Sequence, residues 1–155
     1  MPDRLLVTGY YEGLWSSVTC LSMNTPPKST PDSPPLLCAL GTRTGHIFIL
    51  NLYTFSIDRC LAAHDLPIRG LSWIDTSTVL SYATDEVGTR QYRNSVRIAD
   101  VSTGRMREVR SEKNKDQWAI RGVSLSWRRQ YMVVLFKDGY DYEYEYEYEY
   151  VYEGC

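Results

Sequence analysis

The chain has 155 residues, of which 43% are hydrophobic and 13% aromatic, and its 17 basic and 19 acidic residues give a formal net charge of −2. This is the size of one ordinary domain, with enough apolar residues to build a core. The small net charge favours neither a nucleic-acid binder nor a membrane-surface binder. No apolar run approaches the ~18 residues of a membrane-spanning helix and no signal peptide is visible, so we expect a cytoplasmic protein without membrane insertion.

The first half of the chain reads as a leader and first strand (1–23), a loop with five prolines in twelve residues (24–35), and then a run of short strands. In that run the strands are predicted at 36–40, 46–52 and 57–61. Ile47 and Ile49 are expected to point inward. A glycine-bounded turn, Gly41–Gly45, separates the first two strands, so the pattern predicts an antiparallel meander.

The second half repeats this pattern. Strands are predicted at 67–73, 78–83, 94–101 and 105–110, and a third cycle opens at 119–127 and 131–136. Polar connections are predicted at 84–93 and 111–118. The run Ile68-Arg-Gly is followed by Ser and Trp, as is Ile120-Arg-Gly about 50 residues later. A recurrence of that length is typical of propeller blades, and no stretch longer than about ten residues has helical periodicity, so we predict an all-β fold.

Four short strands per repeat resemble the blades of the WD-repeat β-propeller family. In that family a Gly-His-type pair precedes the innermost strand and a Trp-Asp-type pair closes the third. Ala63-His64 fills the first position here, and Leu50-Asn51 and Ala99-Asp100 fill the second. The resemblance covers about residues 36–138. Because a propeller needs several blades of about 50 residues each, it implies a fragment of two to three four-stranded blades in a ring that is not closed.

The resemblance also assigns structural positions inside a blade. It implies that His64 joins a buried hydrogen-bond network with a strand hydroxyl, for which we select Ser81. Asp100 and Trp73 are the other blade positions that we single out, Trp73 as a packing residue. A catalytic base is the alternative for His64. We favour the structural role because no nucleophile motif or second histidine accompanies it.

Within the family, the sequence resembles large cytosolic scaffolds with two propellers. The resemblance implies vesicle tethering at the trans-Golgi network, with links to ciliogenesis and Hedgehog signalling and a location in the cytoplasm, on vesicles or at the base of the cilium. It implies protein partners, with no nucleic acid and no small-molecule substrate. No active site and no cofactor come with it.

Neither the cysteines nor the glycine turn predict a metal or phosphate site. The chain has four cysteines without a CxxC pair, and two histidines: Cys20, Cys38, Cys60, Cys155, His46 and His64. That set does not have the spacing of a zinc site. Gly41–Gly45 lacks the Lys-Ser/Thr end of a phosphate-binding loop. The arginines near Arg121, Arg128 and Arg129 are interpreted as a solvated rim rather than a nucleic-acid contact.

The last segment, 139–155, has a different composition from the blades at 36–138. Tyr occupies every even position from Tyr140 to Tyr152, and an acid occupies every odd one except Val151. An extended strand would place all the tyrosines on one face, so an acidic-aromatic tail for a basic partner is one hypothesis. We favour the other, a low-complexity tail without specific function.

Three functions are therefore compared. The preferred one is a non-catalytic protein-interaction scaffold. The second is a truncated or incomplete product without independent function, since open blade edges expose unpaired backbone groups. The third is a propeller-based hydrolase, which needs convergent acids or a metal cluster that the sequence does not predict.

Overall fold

The computed structural model describes residues 14–25, 34–110, 115–126 and 132–137, and every regular element in these ranges is a β-strand. In chain order the strands are β1 (Val18–Met23), β2 (Leu37–Thr42), β3 (His46–Asn51), β4 (Ser56–Ala62), β5 (Ile68–Trp73), β6 (Thr78–Gly88), β7 (Gln91–Asp100), β8 (Met106–Arg110), β9 (Lys115–Asp116), β10 (Ala119–Leu125) and β11 (Met132–Lys137). The prediction of an all-β fold is confirmed.

The strands form three antiparallel sheets, and in every pair except β7 with β9 the hydrogen-bonded neighbours follow one another along the chain. The first sheet has the order β1-β2-β3-β4, and the second has the order β5-β6-β7-β8 with β9 added to β7. The third sheet contains β10 and β11. Over the described residues the three sheets do not close into a ring, as predicted.

The central strands of the first sheet are covered on both faces. Ile47 and Ile49 are buried as predicted, but Phe48 between them is buried as well. The ring of Trp15 meets the ring of Phe48 edge to face, with 5.6 Å between the ring centres. A fully covered strand has no polar face, and this explains why β3 reads as a continuous apolar run rather than an alternating one.

Apolar cores join neighbouring sheets. The first core contains residues of both the first and the second sheet: Leu37, Ala39, Ile47, Ile49, Leu61, Ala63, Ile68, Val79, Ala99 and Val101. The second core contains residues of the second and third sheets: Leu80, Val96, Ile120, Met132, Val134 and Phe136. Each sheet thus buries a face against the next one, which is the packing expected of adjacent propeller blades.

The prediction of a polar connection at 84–93 is wrong, because β6 and β7 continue through it as a hairpin. Asp85 lies opposite Arg93 and Glu86 opposite Tyr92 in the ladder. Opposite charges and aromatic side chains at facing positions stabilise an antiparallel pair. Arg90, with φ of 54°, lies in the turn that closes the hairpin. The charged connection at 111–118 likewise contains a short strand, β9.

Several predicted features lie outside the described residues. These are the leader at 1–13, the greater part of the proline loop at 26–33, the residues Trp127, Arg128 and Arg129, and the tail at 139–155. The division of the chain at 23, 35 and 138 therefore stays a prediction.

Candidate functional site

The imidazole of His64 lies between two strands of the second sheet. His64 is in the connection from β4 to β5 and is only 4% exposed. Its Nε2 is 2.8 Å from Oγ of Ser81 on β6, and its Nδ1 is 2.9 Å from Oγ of Ser95 on β7. Both serines are fully buried. Both nitrogens of the ring are therefore engaged by hydroxyls of adjacent strands, and no solvent is needed to satisfy them.

The main chain around His64 ties this network to the first sheet. The carbonyl oxygen of Gly45 accepts hydrogen bonds from the backbone N–H of Ala63, at 3.1 Å, and of His64, at 2.9 Å. On the other side, the guanidinium of Arg97 donates to the carbonyl oxygen of Ala63 and pairs with Glu108 at 3.2 Å. The connection is thus held by both the first sheet and the second.

The environment of His64 keeps its ring neutral. Burial, and then the charge of Arg97, lower the pKa of His64 from 6.5 to about 3, against an opposing contribution from Asp65. A neutral imidazole has one donor and one acceptor nitrogen, and a serine hydroxyl can fill either complementary role. The neutral ring therefore matches its two serine partners.

This depressed pKa makes stability depend on pH. Below pH 6.5 His64 is protonated in the unfolded chain, whereas in the folded chain it stays neutral down to about pH 3. This contribution is complete above pH 6.5 and is lost as the pH falls. Between pH 7 and pH 5 we expect a decrease of about 2 kcal/mol in the free energy of unfolding from this residue. Urea unfolding at several pH values measures it, and a His64→Gln variant with the same pH slope would contradict it.

The other predicted positions, Asp100 and Trp73, have hydrogen-bond partners outside the network of His64. Asp100 ends β7, where its Oδ1 accepts hydrogen bonds from the hydroxyl of Ser102 at 2.6 Å and from the N–H of Ser102 and of Thr103 at 2.8 and 3.1 Å. These bonds lower the pKa of Asp100, and the bond from the hydroxyl of Ser102 has the largest effect. Asp100 therefore organises the turn after β7.

Trp73 joins the first two sheets. Its Nε1 donates to the carbonyl oxygen of Ser22 on β1 at 2.9 Å, and its ring packs against the core between the sheets. Thr19 on β1 makes a similar bond, since its hydroxyl donates to the carbonyl oxygen of Ile68 at 2.5 Å. The packing role predicted for Trp73 thus has a polar component that the sequence did not indicate.

Removing the indole N–H of Trp73 tests this component. Trp73→Phe keeps an aromatic ring but leaves the carbonyl of Ser22 without this donor, and we expect a loss of about 1 kcal/mol in the free energy of unfolding. Trp15→Phe is the control, because the indole of Trp15 is 61% exposed and a phenyl ring in its place can still contact Phe48, so we expect a cost of less than about 0.5 kcal/mol. Equal losses for the two variants, measured by urea unfolding, would contradict the role of the bond.

The structure brings His64 and Ser81 together and adds Ser95, which the sequence analysis missed. The sequence held no signal for Ser95, because its burial between Asn94 and Val96 follows from the pairing of β7 in the sheet. Because both serines are fully buried, neither hydroxyl is open to a substrate. The network can hold strands in place, and its geometry is not that of an exposed nucleophile and base.

Two further features bear on possible sites. Among the described residues, no three His, Cys, Asp or Glu side chains form a group that could hold a metal ion. None of the segments that the structure describes forms a helix long and apolar enough to cross a membrane.

Comparison with known proteins decides the family. The family model described as the WDR11 second beta-propeller matches residues 16–142. The chain belongs to this family. Among similar proteins, the WD repeat-containing protein 11 of Danio rerio is 34% identical over 139 residues and that of Homo sapiens 30%. Each alignment covers 87% of this chain and 11% of the relative, so the chain spans about a tenth of the length of these curated relatives.

Family membership explains the three sheets as blades of a WD-repeat propeller. The first and second sheets have the four-stranded meander of such blades, and His64 lies just before β5, the first strand of the second one. The resemblance to WD-repeat propellers that was predicted for residues 36–138 is confirmed, and the family match extends beyond both ends of that range, from residue 16 to residue 142. WD-repeat propellers are generally non-catalytic scaffolds that bind other proteins.

Proposed function

We propose that this chain is a non-catalytic interaction scaffold that acts in vesicle tethering at the trans-Golgi network, with a role in ciliogenesis and Hedgehog signalling. The proposal takes the trafficking role from the family resemblance. It places the chain in the cytoplasm, at Golgi membranes, on vesicles or at the cilium base, through protein partners. In this proposal the turns and rim of the blades at 36–138 bind those partners.

One observation supports the scaffold part of the proposal most strongly. The imidazole of His64 is hydrogen-bonded through both of its nitrogens to buried serine hydroxyls of β6 and β7. It therefore has no free nitrogen to offer a substrate. Buried polar groups that are fully hydrogen-bonded inside a blade stabilise one conformation of it. A rigid blade of this kind is a suitable support for a surface that binds partner proteins. We propose that His64, Ser81 and Ser95 stabilise this blade from within by linking the β4–β5 connection to strands β6 and β7.

Asp100 and Trp73 complete the proposed support in two other places. Asp100 holds the turn between β7 and β8 through its bonds to Ser102 and Thr103, and Trp73 links the second sheet to the first through Ser22. In this proposal each acts on the shape of the scaffold, and neither contacts a partner.

A chimera tests the proposed function. The aligned 139 residues of the Danio rerio relative are replaced by those of this chain, and capture of endosome-derived vesicles is measured in cells that lack the relative. We expect capture by the chimera. A second chimera with Gly45→Ala, a substitution that the turn cannot accommodate, is expected to lose it.

The two chimeras together can contradict the proposal. A chimera that reaches the same protein level as the relative and resists proteolysis to the same extent, yet captures no vesicles, would mean that this segment does not support tethering. Equal capture by the Gly45→Ala chimera would mean that tethering does not need the blade.

A further inference from the structure

The turns that close the third and fourth strands of the first two sheets have the same construction. In the first sheet the turn joins Asn51 to Ser56, which face each other in the ladder. In the second it joins Asp100 to Arg105, whose carbonyl oxygen accepts from the N–H of Asp100 at 2.8 Å. Each turn thus has four residues between its paired ends, and the two can be compared residue by residue.

The same main-chain hydrogen bonds hold both turns. Oδ1 of Asn51 accepts from the N–H of Tyr53 at 3.0 Å and of Thr54 at 3.4 Å. Oδ1 of Asp100 accepts from the N–H groups two and three residues later in the same way, at 2.8 and 3.1 Å. The second position after the capping residue is therefore Tyr53 in one turn and serine in the other, and the third is threonine in both.

The fourth position requires a left-handed backbone in both turns, and here the two sequences differ most. Gly104 has φ of 76° and Phe55 has φ of 53°. Glycine adopts this conformation without a steric penalty, whereas a bulky side chain is strained in it. The second turn thus has the residue that the backbone favours, and the first turn has an aromatic residue that it disfavours.

The strain at Phe55 is not offset by burial. The side chain of Phe55 is 61% exposed and that of Tyr53, two residues before it, is 74% exposed. A strained residue persists where the surrounding structure fixes it, and such residues cluster at functional sites. Two large aromatic side chains held in solvent by a rigid turn match the anchors found at the centres of protein interfaces.

A carboxylate defines the charge beside the two rings. Asp58 on β4 is exposed, and its oxygens accept from Nδ2 of Asn51 at 3.2 Å and from the hydroxyl of Ser56 at 3.3 Å. The hydroxyls of Thr54 and Ser56 are 2.7 Å apart, which connects the carboxylate to the turn. The turn therefore carries two exposed rings, and the residues that flank it hold one exposed negative charge by hydrogen bonds.

We propose that Tyr53, Phe55 and Asp58 form a docking site for a short aliphatic segment of a partner protein that carries lysine or arginine. Aliphatic side chains would pack on the two rings. The cation would pair with the carboxylate of Asp58 and lie against a ring face, an arrangement that aromatic rings favour. The inference rests on the proposed scaffold function and names one of its surfaces.

The test selects peptides on the full 155-residue chain from a phage-displayed library of random linear peptides and measures the affinity of the enriched peptide by fluorescence anisotropy. We expect enrichment of aliphatic sequences with lysine or arginine. The double variant Tyr53→Ser/Phe55→Gly, which gives the first turn the residues of the second, is expected to bind at least about tenfold more weakly. It is also expected to raise Tm by about 2–4 °C, because the strain is removed.

Matched variants separate this site from a general loss of structure. Ser102→Ala alters the second turn and is expected to leave the affinity unchanged, whereas Asp58→Asn is expected to weaken binding several-fold and Asp58→Glu less so. A fall in Tm for Phe55→Gly would overturn the inference, because the ring would then stabilise the fold. Affinity that the double variant leaves unchanged, or no enrichment at all, would overturn it as well.

Other occupants of the docking site give distinct results that also overturn the inference. Sedimentation with phosphatidylcholine and phosphatidylserine vesicles that depends on the two rings would indicate a lipid surface. Self-association that the double variant abolishes would indicate a second copy of the chain. The proposed function is tested separately, by vesicle capture with a chimera that carries the double variant. Capture by that chimera supports the proposed function, whereas the peptide affinity of the double variant tests the docking site.

Discussion

Replacing His64 with alanine is expected to lower the free energy of unfolding by about 3–5 kcal/mol. The substitution leaves a cavity in a site that is 4% exposed, and it removes a partner from two fully buried hydroxyls, those of Ser81 and Ser95. The Ser81 hydroxyl keeps a 3.4 Å bond to the carbonyl oxygen of Arg97. The hydroxyl of Ser95 bears most of the desolvation penalty, which adds to the cost of the cavity. Urea unfolding at pH 7 measures the loss.

The other histidine is the matched control for this prediction. His46 is only partly buried, and its Nδ1 is 3.2 Å from the hydroxyl of Thr44, so His46→Ala is expected to cost less than about 1 kcal/mol. A triple variant, His64→Ala with Ser81→Ala and Ser95→Ala, is expected to recover part of the loss, since no hydroxyl is then orphaned. Equal losses for His46→Ala and His64→Ala would contradict the network as a source of stability.

Gly45→Ala is expected to destabilise the fold by at least about 3 kcal/mol. A Cβ at Gly45 would lie 1.9 Å from the carbonyl oxygen of His64 and 2.7 Å from its carbonyl carbon. These are backbone atoms of the connection that positions the imidazole, and they cannot move as a flexible side chain would. The backbone of Gly45 is also left-handed, with φ of 84°, which adds strain for any other residue.

Gly122→Ala is the control for Gly45→Ala. Apart from Gly122 and its two chain neighbours, no atom of the described residues lies within 4 Å of a Cβ built at Gly122, and this glycine lies within strand β10. Alanine there is expected to change the free energy of unfolding by less than about 1 kcal/mol, since a glycine inside a strand contributes no packing. A cost at Gly122 as large as that at Gly45 would contradict the close approach of the Gly45 turn to His64.

The sequence predicted the strands well because their signals are local. The apolar runs on both sides of Gly41–Gly45 and the repeat at Ile68 and Ile120 led to the correct sheets. The hairpin at 84–93 was missed because its residues are polar. Its ladder depends on pairs such as Asp85 with Arg93, which only the register brings together.

The site was less predictable than the fold. The choice of Ser81 as partner of His64 came from the family resemblance, since spacing alone does not bring residues 17 positions apart into contact. Ser95 depends on how β7 pairs with β6, and a single serine in a strand gives no signal of that. The strain at Phe55 was invisible because nothing in the sequence showed that its position is left-handed.

Amide hydrogen exchange on the full chain tests most directly whether the blades form one rigid scaffold. If they do, the amides of Ile49 in β3, Leu80 in β6 and Ile98 in β7 are protected about a thousandfold or more, because they lie in central strands of packed sheets. The amides of Tyr53 and Thr54 are bonded only to the side chain of Asn51 in their own exposed turn, so they are expected to be less protected than these strand amides. Fast exchange throughout β3, β6 and β7 would mean that the chain does not hold this fold and would contradict the account.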